Sequence, residues 1–374
     1  MCKLNVMVLF GGKSKEHEVS LMSATSILNA MIKEKYEIMT VGITRDGIWK
    51  RYKGGYDKIQ TGEWETIAEK ENFDFISLLD DSTGKENASE IMALKKDAGQ
   101  LENFKIDVVF PALHGPYGED GKVQGLLETM GIPYVGAGVL SSALAMDKAM
   151  VKKIFDAGKI SQAKYKVIKN YKSLIPDDVV GEIESIFAYP VFIKPANLGS
   201  SVGISKAKNK QELISAIELA SEYDEKVLVE EFINGREIEC AVLGNDYPIA
   251  SLPAEIIPSR EFYDYKDKYF DGKSRFVIPA DIGDELTKKV KNMALEVYKQ
   301  IDCSGLARVD FFLERETNRL LVNEINTMPG FTKISMYPKM WEASGINYED
   351  LIDRLIQLAL KKTRSIKKNK AARG

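Results

Sequence analysis

Apolar residues come in short unbroken runs near the N-terminus and in alternating or helical spacing further on. LNVMVLFGG (4–12), YEIMTVGIT (36–44) and KIDVVFPALHG (105–115) read as buried strands, the first and third running into glycine turns. Between the first two, SKEHEVSLMSATSILNAMI (14–32) has helical periodicity. Strands alternating with helices predict a parallel sheet covered on both faces, with ligands at the strand C-termini. GIPYVGAG (131–138) closes this unit, and a first domain is expected over 1–136. Residues 50–104 are highly charged and poorly patterned, with DDSTGKENASE at 80–90. They predict an insertion with weak helices, not a site.

A helix over SSALAMDKAMVKKIFDAGK (141–159) opens a second unit, expected over 137–229. YPVFIKPANLGSSVGISKAKN (189–209) reads as strand, loop, strand. KVLVEEFINGREIECAVLG (226–244) reads the same way and leads into a third unit over 230–374. YEDLIDRLIQLALKK (348–362) predicts a closing helix, and KKTRSIKKNKAARG a frayed, solvated end. No internal repeat is present.

RVDFFLERETNRLLVNEINTMPGF (308–331) has the alternation of a strand pair, with turn chemistry at Glu316-Thr317-Asn318. Asp310, Glu324 and Asn326 do not suit a plain buried hairpin. Residues two apart share a strand face, so Glu324 and Asn326 project together. A turn about Thr317 sets Asp310 opposite Glu324, roughly 5 Å away at Cβ. Two carboxylates that close repel unless a cation or shared proton lies between them. A few hard oxygen ligands suit Mg²⁺ with bound phosphate. An exposed acidic face explains the spacing equally well, and the residues alone leave both readings open.

Composition narrows the classes. Hydrophobic content of 44% and charged content of 29% are ordinary for a globular protein. The net charge of −3 provides no basic field for nucleic acid. Cys2, Cys240 and Cys303 lie far apart and there are only two histidines, against a zinc site or a disulfide framework. MCKLNVMVLF is wrongly flanked for a signal peptide, and no apolar run approaches the ~20 residues of a membrane span. A cytoplasmic location without membrane association is expected.

The chain lacks GxxxxGK[ST]; GEDGKV (118–123) misses both spacing and hydroxyl, and FGGKSKE (10–16) is not GxGxxG, so nicotinamide binding has weak support. KPANLGSSVGIS has the parts of an anion-holding loop: Lys194 at a strand end, then Gly199, Ser200, Ser201 and Gly203. A hairpin turn that needs glycine accounts for it as well.

Lys148 in MDK, Lys194 in IKP, the acidic VEEF–INGRE and the late Asp/Glu/Asn trio occur in one order along the chain. Together they resemble the ATP-grasp enzymes, and more closely the D-alanine–D-alanine ligase family. The matching stretches are LFGGKSKEHEVS, HGPYGEDGKVQG, SALAMDK, FIKPANLGSSVG, EFYDYKDKY, GLARVDFF and NEINTMPGFTKISMYP. They run from residue 6 to about 345 and leave out little beyond 50–104.

The resemblance implies a three-domain α/β ATP-grasp fold, its N-terminal domain built on a parallel sheet and ATP held between two antiparallel α+β domains. It implies that Lys148 and Lys194 neutralise ATP phosphates, with Ser201 in the phosphate loop. Glu230 would accept from the adenine amino group, the backbone at Phe232 and Ile233 would meet the ring edge, and Glu237 would bind ribose. Asp310, Glu324 and Asn326 would hold two Mg²⁺ (or Mn²⁺), Glu324 bridging them. The implied reaction activates one D-alanine as an acyl phosphate, and the amine of a second displaces phosphate. Glu16 would receive the first ammonium group, with His114 nearby. Arg308 and the Gly330 N–H would stabilise the oxyanion, and Arg308 with Ser335 would hold the second carboxylate. Ser200 and Tyr269 would link across the closed site, and Lys268 would reach the γ-phosphate from a lid that includes Phe262, Tyr263 and Tyr265.

Relatives that make D-alanyl-D-lactate have histidine at the position of Tyr269, and those that make D-alanyl-D-serine often have arginine at the position of Met336. Tyrosine and methionine here point to D-alanine as second substrate. TKISMYP departs from the commoner TSHS at Lys333 and Ile334 but keeps Thr332 and Ser335. Three other readings remain: a D-serine or relaxed-specificity ligase, a non-catalytic nucleotide-binding protein, and an NAD(P) enzyme. The family is commonly dimeric, so a homodimer is expected.

Overall fold

A computed structural model describes residues 3–69, 73–76, 90–95, 101–169, 175, 177–199, 202–258, 274–332 and 334–371. Ser200, Ser201, Phe262, Tyr263, Tyr265, Lys268, Tyr269 and Lys333 lie outside the described residues.

The strand Leu4–Gly11 forms the middle of the N-terminal sheet. It runs parallel to Tyr36–Ile43 on one side and to Val108–Pro111 on the other. Val6, Val8 and Phe10 pack under the helix His17–Ala30 and the C-terminal helix Tyr348–Ala371, while Met7 and Leu9 pack on Val123 and Leu127. Burial on both faces explains why this strand is apolar without alternation. The sheet is mixed rather than purely parallel, because Trp49–Tyr52 adds an antiparallel edge.

The charged stretch after residue 50 holds more than weak helices. Two short helices, Tyr56–Gln60 and Trp64–Glu69, precede a three-stranded antiparallel sheet of Phe73–Ile76, Glu90–Lys95 and Leu101–Lys105. Trp64 is fully buried, its ring 4.9 Å from that of Phe10 at 79°. It lies flat against Gly42, where a Cβ would come within 2.2 Å of the indole.

The single helix expected over 141–159 is two, Val139–Met146 and Lys148–Ala157. Asp147 breaks it: its carboxylate caps the second helix, accepting from the N–H groups of Ala149 and Met150 at 3.1 Å each. Lys148 is thereby set at the first turn. A four-stranded antiparallel sheet follows, in the order Ser205–Ala207, Val191–Pro195, Lys226–Glu231, Tyr165–Lys169. Asp177–Ile186 and Lys210–Ser221 cover one of its faces.

The last sheet is antiparallel, in the order Arg275–Val277, Ala254–Ile257, Gly235–Gly244, Gly305–Glu314, Leu320–Asn326, with Ile249–Ala250 beside Gly235–Gly244. The amphipathic helix Gly283–Gln300 buries Val290, Ala294 and Val297 against it. The final hairpin pairs Leu313 with Leu320 and Phe311 with Val322, then shifts register so that Asp310 pairs with Glu324. Asn323 is the extra residue of this bulge. Among the described residues no helix is long and apolar enough to cross a membrane.

Candidate active site

Two cavities share Lys148, Leu198, Gly199, Glu239 and Glu324 in their walls. The larger, about 440 Å³, lies between the four-stranded and last sheets and is lined by Phe192, Lys194 and Glu230 from one and Glu237, Asp310 and Glu324 from the other. The second, about 290 Å³, is lined by Glu16 and His114 from the N-terminal part and by Arg308, Asn326, Gly330 and Ser335 from the C-terminal part. Every described candidate for catalysis, nucleotide or metal lines one of the two, whereas Gly203 of the small-residue loop lines neither.

In the larger cavity the part-buried Lys194 stands beside the buried Glu230. Lys194 Nζ stands 2.6 Å from Glu230 Oε2 and 3.5 Å from the Oδ1 of the bulged Asn323. The other oxygen of Glu230 is 3.1 Å from the Nζ of Lys152, a buried lysine that the sequence did not single out. Burial alone would raise the Glu230 pKa; the ammonium groups of Lys152 and Lys194 outweigh it and hold the carboxylate down to about 2. Burial pulls the Lys194 pKa down, but Glu230, Glu324 and Glu237 carry it above the ordinary lysine value. A carboxylate has about four acceptor sites, so Glu230 keeps capacity beyond the two lysines. Phe232 is part-exposed beside Phe192, ring centroids 6.2 Å apart, with the Lys206 Nζ 4.1 Å above its ring. Lys148 donates to the carbonyl of Leu198 in the loop after Lys194.

At the junction Glu239, Asp310 and Glu324 stand in one row across three adjacent strands. Arg308 neutralises part of this charge. Its Nε and Nη2 donate to the two oxygens of Asp310 at 2.7 and 2.6 Å, and Nε lies 3.1 Å from Glu239 Oε1. Burial would lower its pKa; Asp310 and Glu239 more than reverse that and keep it charged. Asn326, opposite Arg308, has its Oδ1 fixed by the N–H of Met328 at 2.9 Å. Among the described residues no three His, Cys, Asp or Glu side chains are grouped as a ready metal site. The donors present, two carboxylates and an amide oxygen, are oxygen only, and three carboxylates face one guanidinium. This set fits a hard divalent cation that keeps part of its water shell.

In the second cavity Glu16 precedes the helix His17–Ala30 and is largely buried. Ser14 ties it to the opposite loop: its Oγ accepts from the Glu16 N–H at 3.0 Å and donates to the His114 carbonyl at 2.6 Å. Gly115 has φ +71°, and a Cβ there would lie 2.5 Å from Glu16 Oε2. His114 is held by Ser23 Oγ at 2.8 Å and the Met328 carbonyl at 3.2 Å. Ser335 Oγ accepts from the Thr332 N–H at 3.0 Å, beside Gly330.

The profile of the D-ala D-ala ligase N-terminus matches residues 5–137, and that of the D-ala D-ala ligase C-terminus matches residues 154–357. The chain belongs to the D-alanine–D-alanine ligase family. It is 53% identical to a D-alanine–D-alanine ligase of Acetivibrio thermocellus over 366 residues, covering 96% of each. With that of Caldicellulosiruptor bescii it shares 50% over 368 residues, 98% of each. Among solved structures it is similar to the VanG D-Ala:D-Ser ligase of Enterococcus faecalis, with TM-score 0.84, 40% identity and coverage of 96% of this chain and 100% of that one. It is also similar to the D-alanine–D-alanine ligase of Coxiella burnetii, with TM-score 0.85, 37% identity and coverage of 99% and 97%. The ligase is therefore an ATP-dependent enzyme of the ATP-grasp fold, in a family for which Mg²⁺ is general.

Sequence reasoning missed Lys152, Glu239 and Asn323. A signal existed for the first two: Lys152 lies four residues after Lys148 on the same helix, and Glu239 two after Glu237 on the same strand.

Proposed function

We propose that the protein joins two molecules of D-alanine, with ATP becoming ADP and phosphate, to make the dipeptide used in peptidoglycan precursors. The observation that carries this reading is the junction of the cavities: Glu16, Arg308 and Ser335 line one cavity together with Lys148 and Glu324, which also line the larger one. On this reading the chain divides into 1–136, 137–229 and 230–374 and works in the cytoplasm as a homodimer.

The larger cavity takes the nucleotide. Phe232 and Ile233 meet the adenine edge, Glu230 accepts from its amino group and Glu237 binds the ribose. Lys148 and Lys194 receive the phosphates, with Ser201. Asp310, Glu324 and Asn326 hold two Mg²⁺ or Mn²⁺, which when bound neutralise charge on the transferring phosphoryl group.

Glu16 orients the first D-alanine through its ammonium group, near His114, so that its carboxylate points at the γ-phosphate. Positioning supplies much of the rate of the first step, because two anions must be brought together. The carboxylate oxygen bonds to phosphorus and ADP leaves. Arg308 and Ser335 hold the carboxylate of the second D-alanine, whose amine attacks the activated carbonyl. Arg308 and the Gly330 N–H stabilise the oxyanion. Phosphate leaves with the former carboxylate oxygen. Lys268, Tyr269 and Ser200 close the site, excluding water that would hydrolyse the acyl phosphate.

A second reading, with D-serine as second substrate, is favoured by the 40% identity to a D-Ala:D-Ser ligase. The test is product mass from ATP and Mg²⁺ with D-alanine alone and with added D-serine or D-lactate. D-alanyl-D-alanine as the main product in all three supports the proposal. A mixed product displacing it whenever D-serine is present would overturn the substrate assignment.

A further inference from the structure

The mechanism above gives no part to Lys152, yet it is 2% exposed and sits directly behind the nucleotide cavity. A buried lysine loses its hydration and its side-chain freedom, so its place needs a partner. Its partners are specific. Nζ lies 3.1 Å from Glu230 Oε1, 3.5 Å from Gln162 Oε1 and 5.3 Å from the centre of the Tyr165 ring. The remaining oxygen of Glu230 is the one that meets Lys194, at 2.6 Å. One carboxylate is thus divided between two lysines, one facing the cavity and one behind it.

We propose that Lys152 is a positioning residue for the nucleotide phosphates, acting through the shared Glu230 carboxylate on Lys194. With Lys152 in place, Glu230 offers Lys194 a single oxygen. The other donors of the Lys194 ammonium group then point toward Asn323 and the cavity. Without Lys152 both oxygens turn to Lys194, and the ammonium group is drawn from the phosphates into a closed pair. The helix Lys148–Ala157 gives the same result twice: Lys148 and Lys152, four residues apart, share a face, one toward the phosphate loop and one beneath it.

The inference rests on the larger cavity being the nucleotide site, and the test separates the two claims. ATP and AMP affinities are measured by calorimetry for the wild-type enzyme, Lys152→Gln and Lys152→Arg. The expected result for Lys152→Gln is a loss of ATP affinity of about tenfold, the scale of one hydrogen bond to a charged group. AMP shares the adenine contact of Glu230 but lacks the outer phosphates, so its affinity falls by a smaller factor and the ATP-to-AMP ratio drops. Lys152→Arg, which keeps a positive charge beside Glu230, restores most of the ATP affinity that the neutral glutamine loses. A merely structural role would lower both affinities together, and that outcome, or an unchanged ATP-to-AMP ratio, overturns the proposal. If Lys152→Gln does not fold, Lys152→Met/Glu230→Gln, which leaves no lone buried carboxylate, is compared with Glu230→Gln. Equal ratios support action through Glu230, and a further loss in the double variant contradicts it. Failure of the wild-type enzyme to bind ATP would instead remove the nucleotide reading beneath it.

Discussion

Asp310 stands opposite Glu324 only because one residue, Asn323, is extruded between them and the rest of the hairpin. Continued without the bulge, the pairing of Leu313 with Leu320 and of Phe311 with Val322 would bring Asn323 opposite Asp310. Glu324 would then turn to the other face, since side chains alternate along a strand. The bulge depends on residue count more than on the chemistry of the extra side chain. Asn323→Ala is therefore expected to keep the trio and to retain turnover within about threefold, its 3.5 Å contact with Lys194 being weak. Steady-state kinetics decide this; loss of activity comparable to that of Glu324→Gln would show that the Asn323 side chain, not the bulge, organises the site.

Glu324→Gln should remove Mg²⁺-dependent ATP turnover while leaving the fold intact. It deletes one of the two carboxylate charges of the proposed metal donors yet keeps shape and hydrogen-bonding capacity. Phosphate release and a thermal melt test the two halves. Near-normal turnover would sink the assignment of Asp310, Glu324 and Asn326 to the metal.

Arg308→Met leaves Glu239 and Asp310 facing each other without their guanidinium. Removing one partner from a buried ion pair costs roughly 3–5 kcal/mol. Loss of an oxyanion donor would slow turnover by about 100- to 1000-fold. Added Mg²⁺ should raise the stability of the variant more than that of the wild-type enzyme, because the ion replaces the missing countercharge. Urea unfolding with and without Mg²⁺ measures this, and equal stabilisation of both proteins would argue that Arg308 and the ion do not share Asp310.

Gly115→Ala should weaken binding of the first D-alanine specifically. At φ +71° a non-glycine residue costs about 1–2 kcal/mol, and the new Cβ would press on the Glu16 carboxylate. The KM for D-alanine should rise while that for ATP holds. A parallel rise in both would mean that the loop strain spreads beyond Glu16.

Acid should act on Glu230. Its folded pKa of about 2 lies below the ordinary 4.5, so its stabilisation is complete above about pH 4.5 and is lost as the pH falls toward 2. Chemical denaturation from pH 5 down to 3 should show wild-type stability falling more steeply than that of Glu230→Gln. Parallel slopes would show that Glu230 is not depressed by its lysines.

Much of the site could be read in the sequence, because its residues are placed by local rules. Period-two alternation puts Glu324 with Asn326, and the end of an apolar strand puts Lys194 at the lip of a sheet. The turn about Thr317 predicted the Asp310–Glu324 pairing, although the observed pairing depends on a bulge that no period reveals. The break at Asp147 was written in its capping chemistry but hidden by continuous helical spacing on either side. Lys152 and Glu239 escaped because their meaning lies in partners from distant strands. The sheet after residue 70 escaped because its charged composition masks short alternating runs.

The most direct test of the ligase reading follows oxygen. The enzyme is given ATP, Mg²⁺ and D-alanine labelled with ¹⁸O in both carboxylate oxygens, and dipeptide and phosphate are weighed. Activation through an acyl phosphate predicts D-alanyl-D-alanine lacking one labelled oxygen and phosphate carrying it. Unlabelled phosphate, or ADP formed without dipeptide, would contradict the account.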